Sequence, residues 1–382
     1  MVSRRLRVAV PALVAVLGAS LCFVAPAGAA DPANATVAGK GVDWLVTRQQ
    51  SDGGFEVAGF PGFETPDAVL AVAQAAQTGS TWSTTEALAA VQAVKTGGKT
   101  ALDALDDFVD GGISAGQAAK LILLVVKPLG LDPTDFDPSD DTGPAVNLAT
   151  TVDPQGCAGN PATFGFFNQT LYGALAKKLL CGVPNAAALA TIRAAQRSDG
   201  GWNFNGSLAA VDPSDPFDPN APDIDTTALA LQALVAGAAA WNDPAVTAGL
   251  AYLAAQQTAS GAFESFGSDD PNSTAVAILA ISAAGFDVTS SCWRDTAVPA
   301  LSAKPYVEPS AWLRSGQQSD GHIASPNDGP TPNTFATSQT VEGLLRRWLP
   351  VAVAPGATTC VVPGGEVVAA PDPVDLVPRF TG

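Results

Sequence analysis

Histidine occurs once in 382 residues, methionine once and tyrosine three times, and charged residues make up only 14% of the chain. The lone His322 excludes multi-histidine metal sites, and without a Cys-x-x-Cys pair zinc has no ligand set. Basic residues are scarce too: 19 Lys and Arg face 36 Asp and Glu, a net charge of −17. Such a chain is repelled by phosphate backbones and anionic membrane surfaces, so nucleic acid is excluded as a partner. Aromatics, at 7%, are sparse for a pocket that would stabilise carbocations on ring faces. What is abundant is Ala, Val and Leu, with 37 Gly and 30 Pro. That composition suits tightly packed helices joined by sharp loops.

The beginning of the chain points to export. Arg4, Arg5 and Arg7 precede an apolar stretch over residues 8–25 and then Ala27-Gly28-Ala29-Ala30, the order of a cleaved leader. Residues 1–30 are therefore expected to be removed, leaving a secreted protein, extracellular or cell-wall-associated, with no stable membrane span. Cys157, Cys181, Cys292 and Cys360 remain, and an even set in an exported chain reads as two disulfides. Of the three pairings, Cys157–Cys181 and Cys292–Cys360 close the most local loops.

Internal repetition organises the rest. Gln49…Gly53-Gly54-Phe55, Gln196…Gly200-Gly201-Trp202, Gln257…Gly261-Ala262-Phe263 and Gln317…Gly321-His322-Ile323 share the pattern Gln-x-x-x-Gly-x-large apolar. Residues 107–113 match with Asp in place of Gln, and the long interval before Gln196 implies a degenerate copy near Cys157. Each copy separates a more amphipathic helix (42–49, 101–108, 186–196, 245–256, 310–316) from one that is apolar nearly all round (67–77, 115–126, 166–180, 226–238, 273–284, 337–348). Helices apolar on every side must be buried on every side, so a closed double ring is expected rather than an open solenoid. In the loops, glycine supplies positive φ, and the glutamine is expected to satisfy the last carbonyls of its own helix. A residue type recurring in every repeat is read as architecture.

The Gln-x-x-x-Gly-x-Trp pattern resembles the glutamine–tryptophan repeat of squalene-type cyclases, in the terpenoid cyclase and protein prenyltransferase superfamily. The resemblance runs over roughly residues 38–348 and implies an all-α, (α/α)6 toroid. The domain plan is a leader at 1–30, the toroid at 31–349, and an extended Pro/Val-rich tail at 350–382. Squalene-type cyclases also carry an Asp-x-Asp-Asp-Thr-Ala acid motif at the start of an inner helix. Here Asp223-Ile224-Asp225-Thr226-Thr227-Ala228 stands in that context. By the resemblance, Asp225 matches the protonating acid and Asp223 the first Asp, while Thr226 replaces the last. The competing expectation is that Asp225 caps the helix, with Asn272 at the matching place in the next repeat.

Other chemistries of the superfamily fit poorly. Gly156-Cys157-Ala158-Gly159-Asn160 departs from the thioester motif Gly-Cys-Gly-Glu-Gln, and no Asp-x-Cys precedes Cys292. No cofactor is expected. Calcium at Asp212, Asp215 and Asp218 is an alternative to a plain solvated loop, although EF-hand spacing is missing. The functional expectation is a secreted, non-catalytic toroid binding a hydrophobic small molecule or a cell-envelope partner. A divergent class II terpene cyclase using Asp225 as general acid is the alternative.

Overall fold

Short polar side chains and prolines start the helices as the pattern requires. Asp31 accepts from the Ala33 amide ahead of α1 (Pro32–Val46), Asn185 from Ala188 ahead of α9 (Ala186–Ala194), and Asp243 from Ala245 ahead of α11 (Pro244–Gln256). The computed structural model describes residues 31–56, 62–139, 143–183, 185–215, 217–326, 332 and 334–348. The leader at 1–30 and the tail at 350–382 lie outside them.

The apolar helices form an inner layer: α2 (Thr65–Ala75), α5 (Ala115–Leu121), α8 (Phe167–Cys181), α10 (Ile224–Ala236), α12 (Pro271–Ala283) and α15 (Thr334–Leu345). Helix α5 runs on through a π-helical stretch, Ile122–Val126, into α6 (Lys127–Leu129). Each inner helix packs on the next, α5 on α8, α8 on α10, α10 on α12, α12 on α15, and α15 on α2, which returns to the π-helical stretch. The inner layer is therefore a closed ring. Small residues allow the helices to approach: at Gly343 of α15 an added Cβ would lie 2.9 Å from the Ala275 Cα of α12.

The more amphipathic helices cover the seams. Helix α1 lies on α15 and α2, α9 on α8 and α10, α11 on α10, and α14 (Pro309–Ser315) on α12 and α15. Three helices were not expected: α3 (Thr84–Ala93), which with α4 (Ala101–Asp110) covers α2; α7 (Leu148–Val152), beside α5 and α8; and α13 (Cys292–Ala297), beside α11. A short antiparallel hairpin, β1 (Phe263–Ser265) with β2 (Ser268–Asp270), leads into α12.

Four repeat loops are built identically. Their glycines have φ of 94° (Gly53), 92° (Gly200), 94° (Gly261) and 103° (Gly321). Each glutamine Nε2 donates to its own loop, to the carbonyls of Gly53, Gly200, Gly261 and Gly321 at 2.9, 2.9, 3.1 and 2.9 Å. It also reaches the next outer segment, at Val94, Ala245, Val307 and Val37 at 3.3, 2.9, 3.1 and 2.8 Å. The glutamine therefore joins neighbouring repeats instead of closing its own helix, and Gln317 joins the last repeat to the first. The apolar residue is tied as well: the amides of Phe55, Trp202, Phe263 and Ile323 donate to Thr65, Thr227, Thr274 and Thr337 hydroxyls on the inner helices at 2.9 to 3.0 Å.

The Asp-started copy does not form this clamp. Asp107 lies inside α4 and pairs with Lys99 at 3.3 Å. The degenerate copy is found where the Phe164 amide meets the Thr170 hydroxyl at 3.3 Å, with Ala158 and Ala162 in the glutamine and glycine places. Its seam is held otherwise. Lys177, almost fully buried, pairs with Asp153 at 2.8 Å and donates to the carbonyls of Gly156 and Gly159, and the Cys157–Cys181 disulfide ties the same loop to the end of α8. Cys292 is disulfide-bonded too, and its expected partner Cys360 lies outside the described residues. Among the described residues no helix is long and apolar enough to cross a membrane.

Candidate functional site

The two aspartates at the start of α10 have different jobs. Asp223 is the cap, accepting from the Thr226 amide at 2.7 Å. The capping role expected of Asp225 therefore belongs two residues earlier. The next repeat agrees: Asp270 caps α12 by accepting from the Ser273 amide at 3.0 Å, and Asn272 points elsewhere.

Asp225 is open to water yet deeply enclosed by protein, as a side chain facing the hole of a ring would be. Enclosure and the neighbouring charge of Asp223 push its carboxyl up to about 7, with Asp270 adding to the rise and a hydrogen bond from Ser273 opposing it. Burial also raises Asp223, despite its bonds to Thr226.

The side chains near Asp225 continue around the ring at one level. Asn272 Nδ2 of α12 donates to Gln339 Oε1 of α15 at 3.1 Å, and Gln339 Nε2 donates to Asp67 Oδ1 of α2 at 3.2 Å. Asp67 Oδ2 pairs with Lys120 Nζ of α5 at 2.7 Å. Tyr172 of α8 lies within electrostatic reach of both Lys120 and Asp225, and Asp225 returns to α12 through Ser273. Every inner helix thus contributes to one polar girdle. Lys120 also donates to the Phe63 carbonyl at 2.6 Å and sits 4.7 Å from the Phe63 ring centroid and 5.7 Å from that of Phe335.

Electrostatics within the girdle are strongly coupled. Burial opposes the Lys120 charge, but Asp67, Tyr172 and Glu342 outweigh it and hold the ammonium above its ordinary value. Burial raises the Tyr172 phenol, against the pull of Lys120. Glu342, one helical turn beyond Gln339 on the same face of α15, is only 4% exposed. Burial and then Asp67 hold its carboxyl well above the carboxylate range, with Lys120 opposing.

Asp67, Lys120, Tyr172, Gln339 and Glu342 escaped the sequence reading. The available signal was a charge within an otherwise apolar helix, conspicuous in a chain so poor in charge. The acidic loop is a different matter. Asp212 accepts from the Ser214 amide at 2.9 Å, Asp215 from Phe217 at 2.9 Å, and Asp218 from Asn220 at 2.8 Å. These are local turn bonds, and among the described residues no group of three or more His, Cys, Asp or Glu is arranged to hold a metal ion. His322 is occupied in its repeat loop, 2.6 Å from Asp320 and with its ring against Trp44.

No family model matches the chain, and no curated protein matches it in sequence. Solved structures do. The type II terpene cyclase MstE from Scytonema, without ligand, superposes with a TM-score of 0.50 at 15% identity, over 82% of this chain and 97% of that one. The fold is that of the type II terpene cyclases. A substituted variant of MstE with geranylgeranyl dihydroxybenzoate gives the same TM-score at 14% identity, over 82% of this chain and 97% of that one. A UGL variant with dGlcA-Glc-Rha-Glc also reaches 0.50, at 13% identity, over 82% and 94%. One toroid thus accompanies a terpenoid in one case and an oligosaccharide in another, so the fold does not choose the ligand.

Proposed function

We propose that the protein is a secreted toroid that binds a small polar organic molecule in the hole of its inner ring, without transforming it. The carrying observation is the girdle, to which all six inner helices contribute polar side chains. A pure hydrocarbon seated there would strip water from Asp225, the girdle carboxyl that is open to it, at a cost of about 1–3 kcal/mol. A ligand with its own donors and acceptors meets no such penalty. Mature protein collected from culture medium, denatured and analysed by mass spectrometry, is expected to release a stoichiometric small molecule. Protein that releases none, and whose melting temperature responds to no member of a polar metabolite library, would end this reading.

A second reading is favoured by one observation. The Asp225 carboxyl is not used by helix amides and titrates near neutrality, so a protonated fraction is present to act as a general acid. Incubation of wild type and Asp225→Asn with squalene and with geranylgeranyl dihydroxybenzoate tests it. Cyclic product from wild type alone supports the acid role, and absence of product from both removes it.

A further inference from the structure

Independently of the girdle, we propose that the loops ahead of α10 and α12 form a docking surface for a basic, amphipathic polypeptide segment, with Lys or Arg interleaved among apolar side chains. A pair of phenylalanines carries the argument. Phe217, from the loop before α10, and Phe266, at the tip of the β1–β2 hairpin before α12, meet with ring centroids 5.5 Å apart. Even so they remain 68% and 70% exposed. Two rings from separate loops thus make one apolar knob that the described residues leave uncovered. Single exposed apolar residues are ordinary, whereas contiguous ones mark contact surfaces.

The fold holds the knob in place at a cost. Phe266 and Gly267 are the two central residues of the hairpin turn, with φ of 50° and 79°. Asn, Asp or Gly suits the first of these positions, and a bulky aromatic is strained there. Burial could offset such strain, but this ring has little of it. The loop of Phe217 is tied from within: Asp215 accepts from the Phe217 amide at 2.9 Å, and Asp218 accepts from the Asp212 amide. Buried Asn203 donates to the Ser207 and Asn220 carbonyls at 2.7 and 2.8 Å. Both rings are therefore positioned before any partner arrives, which lowers the entropy lost on binding.

The charge around the knob sets the sign of the partner. Glu264 and Asp269 stand directly opposite each other in the hairpin, a like-charge pairing that weakens an antiparallel ladder. Asp212 and Asp215, on the loop of Phe217, are exposed. None of these four forms an ion pair among the described residues. Residues 198–223 and 258–270 together hold eight acids and no Lys, Arg or His. The adjoining Arg197 acts on Asp218 and donates to the Ser207 and Ala209 carbonyls, so its charge serves its own loop. Such a patch repels an anionic membrane and a second copy of itself. It attracts Lys and Arg, whose heads also sit favourably on Phe faces.

Fluorescence anisotropy with short labelled peptides and the mature protein is the test. One peptide sets Leu and Lys at helical spacing, a second has Ser for every Leu, and a third has Glu for every Lys. The Leu/Lys peptide is expected to bind at least about tenfold more tightly than either of the others. Phe266→Asn, which suits the positive φ, is expected to keep or raise the melting temperature while weakening the Leu/Lys peptide about tenfold and the Ser/Lys peptide little. Phe217→Ser is expected to lower affinity in the same way and decides the matter should the hairpin variant not fold. Glu264→Gln combined with Asp269→Asn is expected to weaken the Leu/Lys peptide and to flatten its salt dependence. Equal affinity for the Ser/Lys or the Leu/Glu peptide, an unchanged affinity in the two Phe variants, or binding of none of the three overturns the proposal. Cosedimentation of wild type but not Phe266→Asn with phosphatidylcholine vesicles would assign the knob to lipid and overturn it too.

Discussion

At the outer seam one residue type does one job four times, whereas at the girdle six inner helices offer five kinds of side chain. Gln49, Gln196, Gln257 and Gln317 each bridge a loop glycine to the following repeat. Asp67, Lys120, Tyr172, Asp225, Asn272 and Gln339 form a circuit in which only Asp recurs. Repetition solves a problem common to every seam, namely holding two outer segments in register. Variation around the inside answers to whatever occupies the middle. The comparison separates stability from function, and it can be broken by substitutions that move the wrong one.

The largest effect is expected where the seam lacks its glutamine. Lys177→Met leaves Asp153 buried without its cation and is expected to cost about 3–5 kcal/mol in urea unfolding. Gly321→Ala comes next. Its Cβ would sit 2.4 Å from the Lys40 carbonyl oxygen at a φ of 103°, and a loss of about 2–3 kcal/mol is expected. Gln317→Ala removes the two bonds at the same junction and is expected to cost about 1–3 kcal/mol. For all three, ligand retention in the surviving folded protein should be unchanged. A loss of retention at unchanged stability would place function in the seam and break the comparison.

Girdle substitutions should do the reverse. The ordinary value for Asp225 is 3.8 and the folded value about 7, so at intermediate pH the unfolded chain is ionised while the folded one keeps its proton. Folding is therefore penalised increasingly as pH rises from about 4 to 7, and the penalty is full above that. Asp225→Asn is expected to raise the melting temperature relative to wild type by an increment that grows across this window and then levels off, while ligand retention falls. A flat increment would show that the folded carboxyl titrates normally. The smallest effect is expected at Asp215→Asn in the exposed loop, within about 0.5 kcal/mol.

The ring was legible in the sequence because its signals are periodic: the Gln-x-x-x-Gly spacing, and helices such as 226–238 that are apolar on every side. Helix α3 was missed although Ser83 accepts from the Glu86 amide at 3.2 Å, a cap visible in Ser83-Thr84-Thr85-Glu86. It falls outside the repeat pattern that marks the expected helices. The caps of α10 and α12 were placed two residues late because Asp223 and Asp225, like Asp270 and Asn272, are all competent caps by type. Only the path of the chain decides which side-chain oxygen faces the amides. The girdle was the least legible, since its members lie on six helices far apart in sequence and meet only once the ring closes.

Closure through Gln317 and Val37 makes the first and last repeats neighbours across 280 residues of chain. A solenoid gains stability one repeat at a time and tolerates the loss of an end. Among the described residues the ring has no end to lose, because α1 packs against α15 and α14. Deleting α14 and α15 would uncover α1, α2 and α12 together. Its contact order is correspondingly high, so folding should be slow and all-or-none, with the earliest helices waiting unsealed until the last has been synthesised.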